Sequence, residues 1–149
     1  MDSEIQEFQN DIMAKYGIKS LEDAAVICRE KGIDVVGIVK DVKEDASNDC
    51  IMAFTLGTAI AIRKDTKLAS YVAIDIGEGI QTYLGNAFGE PKSGIDLGFE
   101  ICNLLKDKEH DDTTLVRNYS ECIPFLQLNN DEIYKITSEI CFRIEALNK

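Results

Sequence analysis

The sequence predicts a single, mainly α domain of the α+β type over residues 1–149, with about six to seven helices and a short two-stranded β element near residues 113–128. Apolar residues recur with the helical period along most of the chain, and capping residues stand at the start of most of these segments. Two segments, at about 48–64 and 66–84, are rich in apolar residues, and the first of them is apolar almost all round. We therefore expect them to form two buried helices at the centre of the fold.

Three helices are predicted before this centre. The first covers about residues 3–16 and opens with a capping-box pattern, and the second runs from Ser20 to just before Gly32. The segment 33–43 has strand propensity, but its apolar residues also follow the helical spacing. Since Asp34 is a good N-cap, we predict a short helix there.

Glycines mark the two central helices, whose predicted N-caps are Asn48-Asp49 and Thr66. Each glycine destabilises a helix by about 1 kcal/mol relative to alanine. The expected compensation is a close approach to the backbone, either by another helix or by a ligand. The three positions are Gly57, Gly77 and Gly79.

The last third of the chain combines a loop, helices and strands. Composition predicts a loop at residues 85–94, and helical spacing predicts a helix over about 95–108. Two short apolar runs, 113–117 and 123–128, predict the β element. A final helix, with Asn130 as its predicted N-cap, completes the domain.

Composition and charge exclude several classes of protein. A net charge of −11 opposes binding to nucleic acid polymers, and no run approaches the roughly 20 apolar residues that a membrane span requires. The acidic start Met1-Asp2-Ser3-Glu4 lacks the basic region of an export signal. The five cysteines are scattered, as is typical of reduced thiols. We expect a cytoplasmic protein that contacts neither nucleic acid polymers nor membranes.

The sequence also excludes several chemistries. Its one histidine, His110, lies in a charged segment, which argues against multi-histidine metal sites and a Ser-His-Asp arrangement. No phosphate-binding Walker sequence is present. No Cys-x-x-Cys pair indicates a zinc or redox site, although a catalytic-thiol or iron–sulfur role for one cysteine stays open. No catalytic residue, metal ligand or cofactor is therefore assigned.

One group of candidate ligand-binding residues shares a stripe of the fifth helix. Tyr71, Asp75, Glu78 and Thr82 follow one another at i, i+4, i+7 and i+11. Such a stripe is either a solvated face or the polar wall of a pocket.

The other candidate ligand-binding residues lie further along the chain. Ser93 and Gly94 lead into a predicted helix, whose N-terminus could bind an anion. Alternatively, Ser93 or Asp96 is simply the N-cap. Arg117 and Tyr119, at the turn between the predicted strands, could add a cation and a hydrogen bond to a ligand.

Four blocks of sequence resemble the N-terminal region of the bacterial GGGtGRT family, over roughly residues 16–105. They are Tyr16-Gly-Ile-Lys-Ser-Leu-Glu-Asp-Ala, Lys31-Gly-Ile-Asp-Val-Val-Gly-Ile-Val-Lys40, Ala53-Phe-Thr-Leu-Gly-Thr-Ala-Ile-Ala-Ile-Arg-Lys64 and Ile76-Gly-Glu-Gly-Ile-Gln81. The resemblance implies an intracellular protein of a family that has no firmly assigned activity and whose members occur beside iron–sulfur assembly components.

Two departures from the family pattern bear on function. The chain stops at Lys149, without the C-terminal glycine-rich part of the family, and it has Asn118-Tyr119-Ser120-Glu121 where the family has Gly-His-Glu-Ser. Catalysis through that histidine is therefore not expected.

These observations lead to three hypotheses. The first is a non-catalytic, homo-oligomeric module that binds a small, nucleotide-like or phosphorylated ligand, for example a sequestering protein of phage or host origin. The second is an enzyme, or an enzyme subunit, that uses Glu78 and Asp75 as acid and base. The third is a structural or regulatory partner in iron–sulfur metabolism.

Overall fold

The computed structural model describes residues 3–84 and 127–147, and the regular secondary structure within these ranges is helical. The helices are α1 (Ser3–Lys15), α2 (Leu21–Glu30), α3 (Val35–Val42), α4 (Asn48–Arg63), α5 (Ala69–Leu84) and α6 (Asn130–Leu147). The mainly α prediction is confirmed.

The predicted β element receives no support, because the described ranges contain no strand. Gln127 and Leu128, which end the second predicted strand, lie in a turn and an irregular segment instead, and Gln127 has a φ of 57°. The loop predicted at 85–94, the helix at 95–108 and the rest of the β element lie outside the described residues.

Helices α4 and α5 form an antiparallel pair at the centre of the described fold. Every residue of α4 from Cys50 to Ala61 except Met52 is buried. Helices α2 and α3 pack on α4, α6 packs on α5 and α3, and α1 lies against α5. The apolar circumference of α4 therefore indicated its central position correctly.

Two glycines allow α4 and α5 to approach closely. A Cβ atom built on Gly57 would lie 2.6 Å from the Cα of Ile76. A Cβ atom built on Gly79 would collide with the backbone of Gly57 and lie 2.9 Å from the carbonyl carbon of Leu56. At these two positions, the compensation for weak helix propensity is the contact of one helix with another.

Side-chain caps confirm two of the predicted helix starts. The Ser20 hydroxyl accepts a hydrogen bond of 3.0 Å from the Asp23 backbone N–H, at the start of α2. The Asp34 carboxylate accepts one of 3.1 Å from the Gly37 N–H, so the short helix predicted over 33–43 is also confirmed.

Three predicted caps are wrong by one or more residues. The cap of α4 is Ser47, whose hydroxyl accepts from the Cys50 N–H at 3.1 Å, rather than Asn48-Asp49. The cap of α6 is Asn129, which exchanges hydrogen bonds of 2.8 and 3.0 Å with Glu132. Thr66 caps nothing, because α5 begins only at Ala69. Ser47 and Asn129 each stand directly before the predicted cap. Because neighbouring residues can all form caps, the sequence left the starts of α4 and α6 ambiguous by one position.

Candidate functional site

Three residues of the predicted ligand-binding stripe are buried in the protein. Asp75, Glu78 and Thr82 expose 1%, 6% and 0% of their surfaces, whereas Tyr71 exposes 58%. The solvated-face interpretation is therefore wrong for these three residues. The helical spacing placed them on one face of α5, but it could not show that other elements cover that face.

Asp75 is held by two residues that follow α4. Its Oδ1 atom forms an ion pair of 2.7 Å with Lys64 Nζ, and its Oδ2 atom accepts a hydrogen bond of 2.8 Å from the Thr66 hydroxyl. The short connection between α4 and α5 brings both donors to the carboxylate. Because both oxygens are bound and one partner is a cation, the buried charge of Asp75 is compensated.

Glu78 receives a hydrogen bond from the residue that follows α1. The Tyr16 hydroxyl donates to Glu78 Oε1 at 3.0 Å. Gly17, with a φ of 70°, turns the chain sharply after Tyr16 and so ends α1 at this contact. Within the described ranges no cation forms an ion pair with Glu78, in contrast to Asp75.

Burial is the largest of the causes that together raise the pKa of Tyr16 to about 12, and the others are the hydrogen bond to Glu78 and the charges of Glu78 and Asp75. Tyr16 is therefore a protonated donor at neutral pH. The ammonium groups of Lys15 and Lys64 lie 5.4 and 5.6 Å from the centre of its ring, close enough for cation–π attraction.

Lys64 links the two carboxylates into one group, because it pairs with Asp75 and also faces the Tyr16 ring. We call the set Tyr16, Lys64, Thr66, Asp75 and Glu78 the α5 polar cluster. With one ammonium and two carboxylates, the cluster carries a formal charge of −1 when all three groups are ionised.

Two neighbours of Glu78 on α5 are buried without hydrogen-bond partners. Gln81 exposes 1% of its surface, and neither its Oε1 atom nor the Thr82 Oγ1 atom has a partner among the described residues. They stand three and four residues after Glu78, so their side chains are next to it on the helix surface. A buried polar atom without a partner costs about 1–3 kcal/mol, which makes this pair a candidate for contact with a bound molecule.

The C-terminal end of α5 is fixed to two other helices. Gln9 of α1 donates a hydrogen bond of 2.6 Å to the carbonyl oxygen of Tyr83, in the last turn of α5. The Tyr83 hydroxyl donates to Asp49 of α4 at 2.7 Å. Burial, followed by this hydrogen bond, raises the pKa of Tyr83 to about 12. The end of the polar face is thus held in place.

The other predicted ligand-binding residues, Ser93, Gly94, Arg117 and Tyr119, lie outside the described residues, as does His110. Of the cysteines, Cys28, Cys50 and Cys141 are described, and each is buried. Burial raises the pKa of both Cys28 and Cys50 to about 12, so these two are thiols rather than thiolates at neutral pH. In the described ranges, no group of three or more His, Cys, Asp or Glu residues could hold a metal ion.

Four residues beside the predicted ligand-binding stripe were not predicted as site residues. Thr66 was predicted to be a helix cap. Tyr16 and Lys64 were not singled out, because both lie outside the polar stripe of α5. Gln81 carries the clearest sequence signal, since it stands three residues after Glu78 in an apolar helix.

The fold and the cluster define a mainly helical protein whose central helix presents a buried polar face. The chain belongs to the GGGtGRT protein family, whose model matches residues 1–119, and this confirms the resemblance found in the sequence. No curated protein and no solved structure matches the chain. None of the helices in the described ranges has the length and apolar character that crossing a membrane requires.

Proposed function

We propose that the chain is a non-catalytic module that binds a small molecule against the polar face of α5, formed by Asp75, Glu78, Gln81 and Thr82. The observation that carries the proposal is the pair of buried atoms Gln81 Oε1 and Thr82 Oγ1, which lack partners within the described residues. A ligand that satisfies them recovers part of the free energy lost on their burial.

The environment of the two carboxylates favours binding over catalysis. Asp75 has both oxygens engaged, by Lys64 and Thr66, so it is poorly placed to exchange a proton with a substrate. Tyr16, the donor to Glu78, has a pKa of about 12 and holds its proton firmly. An enzyme that uses Glu78 as a base is the second candidate, favoured by the burial of that carboxylate without a cation partner among the described residues.

Exposed apolar residues support the expectation of a homo-oligomer. Leu68, Tyr71 and Phe142 are large and exposed. The Cys141 Sγ atom of α6 lies 3.5 Å from the Ala69 carbonyl oxygen of α5. Leu68 precedes Ala69 and Phe142 follows Cys141 in the sequence, so both stand beside this contact. Association of copies would cover such residues. A cytoplasmic binder without turnover could then act by sequestering its ligand from other proteins.

Native mass spectrometry and thermal-shift screening of the full chain test this proposal. We expect a copurified small molecule, or a compound that raises the melting temperature, and we expect Thr82→Val to weaken its binding. The absence of both a copurified ligand and any stabilising compound would contradict the proposal.

Turnover separates the two candidates. If the bound compound is recovered unchanged after prolonged incubation, the binding module is supported. If it is converted and Glu78→Gln abolishes conversion while leaving the fold intact, the enzyme is supported instead.

A further inference from the structure

We infer that the polar face of α5 recognises a nitrogen head group that donates several N–H hydrogen bonds, such as a guanidinium, an amine or the amino edge of a nucleobase. This inference rests on the proposed function and specifies the chemistry of its ligand. The geometry that points to it is the set of acceptor atoms on Glu78, Gln81 and Thr82.

The acceptors on this face exceed the donors that the described residues supply. A carboxylate has about four lone-pair positions, and among the described residues Glu78 receives one side-chain hydrogen bond, from Tyr16. The Gln81 amide contributes its Oε1 acceptor, which has no donor in the described ranges, and two N–H donors, so acceptor positions still outnumber donors on this face. A hydroxyl such as that of Thr82 can both donate and accept. A ligand with several N–H donors therefore complements this set better than one with acceptors alone.

Charge points in the same direction. Lys64 is the one cation of the α5 polar cluster, and its ammonium is already paired with Asp75 at 2.7 Å. Glu78 is left without an ion pair in the described ranges. Because like charges repel strongly where water is excluded, a phosphate placed beside Glu78 would be disfavoured, whereas a cationic or uncharged donor would be accepted.

The surplus of acceptors and the charge of Glu78 restrict the range of ligands expected from the sequence, which were nucleotide-like or phosphorylated molecules. The residues predicted to contact an anion, Ser93, Gly94 and Arg117, lie outside the described residues. At the polar face itself, the complementary part of any ligand is its nitrogen-bearing end. Guanosine and agmatine are suitable probes, since one offers an uncharged amino edge and the other a guanidinium and an ammonium.

Calorimetric titration of the full chain with these probes tests the inference, and orthophosphate serves as a probe that cannot offer N–H donors. We expect guanosine or agmatine to bind and orthophosphate not to bind. Glu78→Gln should weaken the binding about tenfold or more, because it removes a charged acceptor, and Thr82→Val should weaken it by a smaller factor. Glu30→Gln makes the same chemical change on the exposed end of α2 and should leave affinity unchanged.

The outcomes separate this inference from the proposed function. Orthophosphate binding alone, or a copurified ligand without N–H groups, overturns the inference but leaves a small-molecule-binding protein. Binding of guanosine or agmatine that neither Glu78→Gln nor Thr82→Val weakens also overturns it. If no probe binds and no ligand copurifies, both fail. A copurified compound with N–H donors supports both the proposed function and this inference. The salt dependence of its affinity then distinguishes a cationic head group from an uncharged one. Circular dichroism verifies folding, and Thr82→Val keeps the test valid should Glu78→Gln unfold.

Discussion

Replacing Gly79 by alanine adds one methyl group at the closest approach of α4 and α5. Helix propensity alone predicts that this change stabilises the protein by about 1 kcal/mol. The structure predicts the opposite sign, because the new Cβ would collide with the backbone of Gly57 and lie 2.9 Å from the Leu56 carbonyl carbon. Backbone atoms cannot rotate away as a side chain can, so the two helices must separate.

The magnitude follows from two opposing contributions. Forcing an extra carbon into a packed interior costs about 3 kcal/mol where the neighbours cannot give way. The gain in helix propensity offsets about 1 kcal/mol of this. We therefore expect Gly79→Ala to lower the free energy of unfolding by about 2 kcal/mol. With a denaturant slope of about 2 kcal/mol per molar urea, the midpoint should fall by about 1 M.

Urea denaturation followed by circular dichroism provides the measurement, with Gly37→Ala as the matched control. Gly37 is also helical, but the atoms nearest to its added Cβ would be those of the Asp34 side chain, which can move. That control should change stability by no more than about 1 kcal/mol. An unchanged or increased midpoint for Gly79→Ala would refute the proposed helix contact.

A double substitution gives an independent check of the same contact. Gly57→Ala should also destabilise the protein, since its Cβ would lie 2.8 Å from the Ile76 carbonyl oxygen. Once one substitution has separated the helices, the second has less to disrupt. The double variant should therefore lose about 1 kcal/mol less stability than the sum of the losses in the two single variants.

Three further predictions concern the ion pair, a cap and pH. Lys64→Met should destabilise the protein by about 2–3 kcal/mol in urea denaturation, because it leaves Asp75 buried without its cation; no change would contradict the pairing. Asn129→Ala should lower the stability of the fold by about 1 kcal/mol, and Asn130→Ala should lower it less. Melting temperatures measure both effects, and the reverse order would indicate that Asn130 is the cap, as predicted from the sequence. The pKa of Tyr16 rises from 10.0 to about 12 on folding, so the unfolded chain releases its proton first, and stability should fall as pH rises from about 10 to about 12. Tyr16→Phe should make that decline less steep in denaturation series at these pH values, while Tyr83 still contributes to it, and an identical decline would refute the prediction.

Local signals in the sequence were sufficient for the helices that the structure describes, but not for the exact starts of all of them. The apolar circumference of α4 predicted its burial, since a helix without a polar face has no side suited to water. Serine, asparagine and threonine are all good caps, so adjacent polar residues left the starts of α4 and α6 ambiguous by one position. Thr66 was predicted to cap α5 but instead donates to a side chain nine residues later.

The site was harder to predict because its contacts join distant parts of the chain. Helical spacing placed Asp75, Glu78 and Thr82 on one face. It could not identify Tyr16, which lies 62 residues from Glu78 in the sequence and contacts it through the tertiary fold. Tyrosine fits an apolar stripe as well as a polar contact, because it has an apolar ring and a polar hydroxyl. Sequence spacing does not reveal which of the two a given tyrosine serves.

Asp75 and Glu78 illustrate how two similar residues on one helix acquire different roles. Asp75 is bound by an ammonium and a hydroxyl, so its charge is compensated and its removal would leave Lys64 without its partner. Glu78 is bound by a neutral phenol, so its negative charge has no counterpart among the described residues. An uncompensated buried charge is unfavourable for stability and is retained where it serves another purpose. We therefore expect stability to depend chiefly on Asp75 and ligand binding chiefly on Glu78, although the two carboxylates lie less than one helical turn apart.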